Sequence, residues 1–408
     1  MPKTEYCIIY ILFLIGAIIY GSWFVSGPIT VRHIVTLLMF IVCIIVYKGL
    51  YTDRIINIYL LFVCCFMASS VTTGYTTEAI RRLIGYYFVS YVGVFSTYLL
   101  ITKYKAEKVF IYTICILGII DAVVTIGQLT MSPLVRDVVS ALKLDLSLND
   151  ELENLQLRSD FGLGTVIPGI FGVVANGYYL MMASIVSIAS QTRKYNIGGL
   201  LVTTLLIIAC FIVQERSSFY LAIVCVLFLL LLISTRKQSK SSRTVAIVLT
   251  VLGVCYILAN GSGWIESLGT RMSDVESLTG RDRIWENVFE YIEDYPLFAG
   301  YDQMMSIYHK DGHNLIINSY IFGGLLGFIA IMLLLTKQFT LIYKQCVNKR
   351  NTISLITIIF ACSYIAYTAN SMFHNSSIVY GTLEAWLLWA AFYSMIARNE
   401  SSQPHKSR

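Results

Sequence analysis

The sequence predicts an all-α protein that crosses a membrane about twelve times. Of its 408 residues, 57% are hydrophobic and only 13% are charged, and its mean hydropathy is +0.70. This composition is typical of polytopic membrane proteins and excludes a soluble globular protein. Two further observations, the length of the apolar runs and the alternation of positive charge between them, support the same class.

The apolar runs have the length that spans a bilayer as an α-helix, about 20 residues each. They lie at 7–24, 34–50, 55–73, 83–102, 109–130, 164–190, 197–213, 217–234, 244–260, 314–336, 352–371 and 378–396. Most of the connections between them are short, as between antiparallel helices. We therefore expect residues 1–408 to form a single integral membrane domain.

Positive charge predicts which way the helices run. Alternate loops hold 19 of the 30 Lys and Arg residues, with only four acidic residues beside them. Cytoplasmic loops retain Lys and Arg, so both termini are expected in the cytoplasm. The net charge of +6 is then a sign of topology and does not indicate a nucleic-acid partner. None of the ten Cys residues falls on the predicted outer face, which gives no disulfide framework.

Two connections on the outer face are long. The loop 131–163 begins with apolar residues at helical spacing and continues with an acidic run, a pattern that predicts an interfacial helix followed by a solvated segment. The loop 261–313 is the longer of the two and contains most of the unusual polar residues. Any chemistry is therefore expected at the outer membrane surface.

A second amphipathic helix is predicted inside the loop 261–313. Its apolar residues recur at helical spacing, and the pattern ends at Pro296: Ile284, Trp285, Val288, Phe289 and Ile292. Arg281 and Arg283 fall in its first turn, where positive charge opposes the helix dipole unless an anion is bound. The structural alternative is that these arginines pair with neighbouring carboxylates and anchor the loop.

The motif residues resemble those of the O-antigen polymerase and O-antigen ligase superfamily of bacterial membrane glycosyltransferases. The resemblance rests on Gly280, Arg281, Trp285, Pro296, Gly300, His313, Asn314, Gly323, Gly324 and Gly327, on Arg216 between two adjacent helices, and on Asn176 in a helix interrupted by Pro and Gly. It covers about half of the chain, from 164 to 336. The chain departs from the family pattern where Glu215 precedes Arg216 and where Tyr301 follows Gly300.

The resemblance implies a fold similar to that of the C-type membrane glycosyltransferases, in the bacterial inner membrane. It implies a donor glycan on undecaprenyl pyrophosphate, transferred at the periplasmic face, and makes both outer loops periplasmic. A polymerase uses a second lipid-linked repeat unit as acceptor, whereas a ligase uses lipid A core. Membrane lipids and a chain-length regulator protein are the further candidate partners.

Catalytic roles follow from the chemistry of this transfer. The leaving pyrophosphate gains negative charge, which fixed cations stabilise in the transition state, and Arg216 and Arg281 are the candidates. The acceptor hydroxyl must lose a proton, and His313 is the candidate general base. The predicted substrate-binding residues are Arg283, Asn314, Trp285, Asn176 and Arg82. No carboxylate pair on the outer face has metal-binding spacing, so we expect neither a metal nor a cofactor.

Structural readings compete with several of these roles. Arg216 has a neutralising neighbour in Glu215, and His313 is placed to orient the helix that begins at Asn314. His309 and His313 are four residues apart, but Gly312 argues against a helical zinc site. Arg81 and Arg82 are candidates to bind lipid phosphate or acidic sugar. The alternative is that they anchor the protein at the membrane interface. Asp121 and Gln128 share a helix face and line a cavity or form interhelical hydrogen bonds.

The sequence favours a polymerase of O-antigen or capsular repeat units. The O-antigen ligase is the alternative within the same class. A transporter of lipid-linked oligosaccharide or of small anions is the alternative from another class, although transporters usually show related halves and no internal repeat is visible here. Substitution of Arg281 distinguishes the two classes, because an enzyme would lose turnover and a transporter would lose substrate delivery.

Overall fold

The computed structural model describes residues 1–20, 24–26, 29–129, 134–135, 169–170, 173–192, 196–213, 216–237, 278–308, 312, 314–348, 353–372 and 377–401. The loop 131–163, apart from residues 134 and 135, and the predicted span 244–260 lie outside these residues. Every other predicted span overlaps a described helix. The all-α prediction is confirmed for the described part of the chain, while the count of twelve spans stays a prediction.

The helices of the first half are α1 (Lys3–Ile18), α2 (Val31–Tyr47), α3 (Arg54–Thr72), α4 (Thr76–Arg82), α5 (Phe88–Thr102) and α6 (Glu107–Leu129). A π-helical turn, Leu83–Tyr87, joins α4 to α5. The helices of the second half are α7 (Val173–Ser187), α8 (Ile197–Ile212), α9 (Arg216–Lys237), α10 (Leu278–Asp294), α11 (Tyr301–Tyr308), α12 (Leu315–Tyr343), α13 (Leu355–Asn370) and α14 (Leu383–Ser401).

Five stretches of the described helices are long and apolar enough to cross a membrane: Arg54–Thr72, Thr76–Thr102, Glu107–Gln128, Ser217–Arg236 and Leu315–Val347. Three shorter helices, α2, α8 and α13, are also apolar. The chain is accordingly a multi-pass membrane protein.

The structure revises two of the predicted spans. The first span was expected to reach residue 24, but α1 ends at Ile18 and the strand β1 (Phe24–Ser26) pairs with β2 (Ile29–Thr30). The span 164–190 was expected to hold a helix interrupted by Pro and Gly; Gly169 and Ile170 form a turn, and α7 begins at Val173. Glycine favours turns over helix, and Gly21 and Gly169 lie at these two places in the sequence.

Helix α7 lies at the centre of the bundle. It packs against α6, α8, α9 and α13, and its side chains from Tyr178 to Val186 are almost completely buried. A helix that is apolar on all sides is expected in such a position. Around it, α12 packs along α3 and α14 packs along α5. The rings of Tyr59 and Trp386, 4.2 Å apart, connect α3 to α14.

Polar contacts divide the helix ends into two sets. At one end, Arg398 pairs with Glu107 at 2.7 Å, and Lys3 donates a hydrogen bond to the Lys105 carbonyl. We call this the basic end. At the other, which we call the loop end, α11 contacts the end of α4 and the first half of α12, and the turn before α11 lies against the end of α3. Residues predicted to be cytoplasmic lie at the basic end, and the predicted active-site motif lies at the loop end.

Candidate functional site

Helix α10 confirms the amphipathic helix predicted in the loop 261–313. Val288 and Tyr291 are buried against the protein. Trp285 and Phe289 belong to the same predicted apolar face but are 37% and 54% exposed. The apolar stripe is therefore divided, with one half packed on the protein and the other half exposed.

The turn that follows α10 is held by the hydroxyl of Tyr291. This hydroxyl accepts a hydrogen bond from Gly300 N at 2.8 Å and donates one to Gln303 Oε1 at 2.7 Å. Burial raises the pKa of Tyr291 to about 12, so the hydroxyl keeps its proton and its donor role at neutral pH. A Cβ on Gly300 would lie 2.4 Å from the Thr73 side chain. This motif glycine therefore lets the turn approach the end of α3.

The same turn lies directly on α12. Tyr320 donates a hydrogen bond to the carbonyl of Pro296. Gly324 interrupts the helix with φ 61° and ψ −163°, and a Cβ there would lie 2.0 Å from the Leu297 carbonyl oxygen. An L side chain does not fit that position or favour that conformation. The motif residues Pro296 and Gly324 thus belong to the contact of this turn with α12, and Gly300 belongs to its contact with the end of α3.

Arg82 binds the first turn of α11. Its Nη2 atom lies 3.1 Å from Asp302 Oδ1, and its guanidinium lies 4.3 Å from the centre of the Tyr301 ring. The rings of Tyr301 and Phe322 are 4.3 Å apart, which extends this stack to α12. Arg82 therefore connects α4 to α11. That Arg82 binds substrate stays a prediction.

The backbone on either side of position 313 is held by several hydrogen bonds. The Gly312 N–H donates to Asn318 Oδ1 at 3.0 Å, and the Gly312 carbonyl accepts from Trp285 Nε1 at 3.2 Å. Asn314 Oδ1 caps α12 by accepting from Ile316 N at 2.9 Å. Asn314 Nδ2 donates to the Met372 carbonyl at 2.9 Å. The carboxamide of Asn314 is thus engaged within the protein, as an N-cap side chain usually is.

The beginning of α9 is connected to the same region. Arg216 is its first residue, and Ser218, two residues later, accepts a hydrogen bond from Asn370 Nδ2 at 2.6 Å. Asn370 is the last residue of α13. Its neighbour Ser371 accepts a hydrogen bond from Leu315 N at 3.0 Å. The end of α13 therefore joins the start of α9 to the start of α12.

Asn176 lies in a separate buried polar cluster between α6 and α7. Its Nδ2 donates to Thr125 Oγ1 at 3.2 Å. Asp121 Oδ1 accepts from Ile170 N at 2.9 Å, and the Gln128 side chain pairs with both backbone groups of Gly169. Asp121 and Gln128 thus form hydrogen bonds to the backbone of the turn that precedes α7.

The structure places the predicted site residues unevenly. Helix α10 begins at Leu278, so Arg281 lies at the end of its first turn and Arg283 in its second, whereas both were expected in the first turn; the side chains of both are outside the described residues. The same holds for the side chain of Arg216, while His309 and His313 fall outside altogether. The zinc alternative and the pairing of arginines with nearby carboxylates are therefore predictions still. Trp285 binds the Gly312 carbonyl, and Asn314 lies two residues after Gly312. Arg82 is the last residue of α4, and Asn176 lies in α7.

Sequence reasoning missed four residues that organise this region: Asp302, Asn318, Asn370 and Tyr380. A signal existed for Asn318, because an amide inside an apolar helix usually has a hydrogen-bonding partner. Asp302 follows Tyr301, where the chain departs from the family pattern, and no local pattern gives it a role. Asn370 and Tyr380 lie far along the chain from the motif, and no local pattern connects them to it.

Comparison with known protein families gives a match to part of the chain. Residues 201–332, about a third of the chain, match the family model described as O-antigen ligase. The search of curated proteins found no match. The matched region begins in α8, includes Arg216, Arg281 and His313, and ends within α12. The resemblance of this multi-pass membrane protein to the O-antigen ligase and polymerase superfamily is thereby confirmed for residues 201–332.

Proposed function

We propose that the protein polymerises oligosaccharide repeat units carried on undecaprenyl pyrophosphate, as in O-antigen or capsule synthesis. One observation carries the proposal. The family match spans Arg216, Arg281, Arg283 and His313, and hydrogen bonds connect the backbone stretches that bear them. The start of α9 contacts α13, α13 contacts the start of α12, and Gly312 contacts α10 through Trp285.

The reaction replaces one bond to the anomeric carbon of the donor with another. The bond from that carbon to the pyrophosphate oxygen breaks, and undecaprenyl pyrophosphate leaves with the bonding electrons. A hydroxyl oxygen of the acceptor forms the new glycosidic bond, and its proton passes to a base. Two roles must therefore be filled, a stabiliser of the leaving anion and an acceptor of the proton.

Arg216 and Arg281 are proposed to stabilise the leaving pyrophosphate, with Arg283 binding the donor phosphates. Arg281 lies one helical turn before Trp285, so both occupy the same face of α10. Trp285 reaches Gly312, and this supports a position for Arg281 near the 312–314 segment. Fixed cations lower the barrier when the charge on the phosphate grows during the reaction.

His313 is proposed as the general base that receives the proton from the acceptor hydroxyl. A histidine near its usual pKa is partly neutral at physiological pH and is able to accept a proton. Trp285 is proposed to contact the glycan, since its ring is 37% exposed while its N–H is bound to the protein. We further propose that Asn176, Asn314 and Arg82 bind substrate, and that neither metal nor cofactor is needed.

The proposed setting is the periplasmic side of the bacterial inner membrane. The loop end would face the periplasm and the basic end the cytoplasm, with both termini cytoplasmic. Residues 1–408 would form a single membrane domain with periplasmic loops at 131–163 and 261–313. The concentration of Lys and Arg contacts at the basic end supports this orientation. A chain-length regulator protein is the proposed partner.

The ligase reaction is the second candidate, and the description of the matched family, O-antigen ligase, favours it. A ligase would use the same donor and the same leaving group. Its acceptor would be lipid A core in place of a second lipid-linked repeat unit. The acceptor that receives the glycan therefore decides between the two functions.

The test uses purified protein in nanodiscs with a fluorescent lipid-linked repeat unit. The expected product with repeat units alone is a ladder on a gel. Arg281→Ala and His313→Ala should abolish the ladder while retaining the elution profile of the folded protein. The matched control is Arg54→Ala, which removes an exposed arginine from the first turn of α3 at the basic end and should leave the ladder unchanged.

Other outcomes assign the alternatives. Transfer of one unit to added lipid A core, without a ladder, would establish the ligase reaction. Movement of the labelled lipid between leaflets, with no new glycosidic bond, would establish transport. A normal ladder from Arg281→Ala would contradict the role proposed for that arginine.

A further inference from the structure

Gly312, the residue before His313, is held from two sides. Its N–H donates to Asn318 Oδ1 at 3.0 Å, and its carbonyl accepts from Trp285 Nε1 at 3.2 Å. Gly312 is itself buried. A Cβ at this position would lie 2.6 Å from Ile317 Cγ2 and 3.0 Å from Asn318 Oδ1. The backbone at 312 therefore fits closely between α10 and α12.

The side chain of Asn318 is held in one orientation. It is completely buried, and its Nδ2 atom donates to the Tyr380 hydroxyl at 3.1 Å. With the amide nitrogen directed to Tyr380, the amide oxygen is left for Gly312. The Tyr380 ring in turn packs 4.8 Å from Phe322 and 5.8 Å from Tyr301. The amide is thereby supported by the aromatic stack that Arg82 covers.

The presence of an amide at position 318 calls for an explanation. The helix around it is apolar, and a leucine there would satisfy the membrane environment without desolvating a polar group. An amide is retained in such a helix when both of its polar atoms have partners, and here both do. Its partner on one side is the backbone at 312, which directs the chain into position 313.

The chain leaving position 313 is held as well. Asn314 caps α12 and donates to the Met372 carbonyl, and Leu315 N donates to the Ser371 carbonyl at 3.0 Å. Gly312 is therefore fixed to α10 and α12, and Asn314 is fixed to the residues that follow α13. Such an arrangement holds a reacting group in place before substrate arrives.

We propose that Asn318 is a positioning residue for catalysis, which orients His313 through its hydrogen bond to the Gly312 backbone. The proposal rests on the proposed function, in which His313 is the general base. Asn318 does not touch the substrate. Its hydrogen bond fixes the Gly312 backbone, from which the backbone of residue 313 continues. A displacement of about 1 Å in a reacting group reduces rates about 100-fold.

The experiment is a double-mutant cycle between Asn318→Leu and His313→Ala, measured as kcat and KM for transfer to the acceptor that the wild-type protein uses. Asn318→Leu should lower kcat between about 10-fold and 100-fold and leave the KM for the donor nearly unchanged. In the His313→Ala background, the same change should have almost no further effect on the residual rate. Groups that act as one unit give non-additive losses of this kind.

Two milder variants keep the test valid if Asn318→Leu fails to fold. Asn318→Asp retains an acceptor for Gly312 N, so most of kcat should return. Tyr380→Phe removes the acceptor of the Asn318 amide nitrogen and should reduce kcat by a few fold. Trp285→Phe removes the donor to the Gly312 carbonyl and should act in the same direction.

The matched control is Gln338→Leu. Gln338 is a second buried amide of α12, and its Oε1 accepts from the Tyr364 hydroxyl at 2.6 Å. Its substitution removes one buried hydrogen bond of α12 away from position 312 and should leave kcat unchanged. A similar loss of kcat from both variants would make the effect of Asn318 merely structural and overturn the inference.

The outcomes for the two proposals differ. If His313→Ala retains wild-type kcat, the assigned base is wrong and the positioning role falls with it. If His313→Ala is inactive while Asn318→Leu has wild-type kcat, the inference fails and the proposed function stands. Equal losses from Asn318→Leu with and without His313 would also contradict the inference.

Discussion

The guanidinium of Arg82 and the carboxylate of Asp302 form an ion pair of 3.1 Å that connects residues 220 positions apart in the sequence. The two side chains are 26% and 14% exposed. Tyr301 stacks on the guanidinium from one side. The pair fastens α11, and with it the turn from Pro296 to Gly300, to the end of α4.

Removal of either partner should destabilise the protein. We expect Arg82→Ala and Asp302→Ala each to cost about 1–3 kcal/mol, because the remaining charge stays partly buried without its partner. The double variant should lose less than the sum of the two. Thermal unfolding in detergent measures all three. Strict additivity would mean that the pair contributes no interaction energy.

The same pair tests whether Arg82 binds substrate. If Arg82 acts only through Asp302, Asp302→Asn should reproduce the kinetic effect of Arg82→Ala. If Arg82 also contacts the lipid-linked glycan, Arg82→Ala should raise the donor KM and Asp302→Asn should not. Steady-state kinetics of the two variants separate the roles.

Gly324 should tolerate no side chain. Gly324→Ala would bring a Cβ within 2.0 Å of the Leu297 carbonyl oxygen at a φ of +61°, and the clash involves backbone on both sides. We expect a loss of at least about 3 kcal/mol, seen as poor expression or a lower unfolding temperature. Gly49→Ala is the control, since a Cβ there meets nothing within 4 Å. Equal stability of the two variants would contradict the close docking of the turn on α12.

Asn314 should separate structure from binding. Asn314→Ser keeps a side-chain acceptor for the first turn of α12 and loses the bond to the Met372 carbonyl. Asn314→Ala loses both and should cost about 1–2 kcal/mol more than the serine variant. If Asn314 also binds substrate, Asn314→Ser should remain folded and show a raised KM. An unchanged KM in a stable serine variant would leave Asn314 with its capping role alone.

Asp121 should be replaceable by its neutral isostere. Within the described residues no ion pair involves Asp121, and its Oδ1 accepts a hydrogen bond from the Ile170 N–H. Asp121→Asn can keep this hydrogen bond and should unfold within a few degrees of the wild type. Asp121→Ala would leave the buried N–H without its acceptor and should cost about 1–3 kcal/mol. Large destabilisation by Asp121→Asn would show that the charge itself is required.

Much of the candidate site could be located from the sequence, but its internal contacts could not. Helix α10 is visible in the spacing of Val288 and Phe289, because amphipathic periodicity is a local property. The importance of Gly300 is visible as a motif residue. The reason for it, the Thr73 side chain at 2.4 Å from where its Cβ would be, is not, since Thr73 lies far away in the chain.

By itself, the sequence determined the membrane class, most of the helices, the amphipathic helix of the second loop and the superfamily. These follow from hydropathy, periodicity and residue order, which are read within a short window of chain. The tertiary structure alone decided that Arg82 pairs with Asp302, that Asn318 binds Gly312, and that Gly169 turns the chain before α7. Such contacts depend on which helices pack together, and helix packing is set by the shapes and polar groups of residues far apart in sequence.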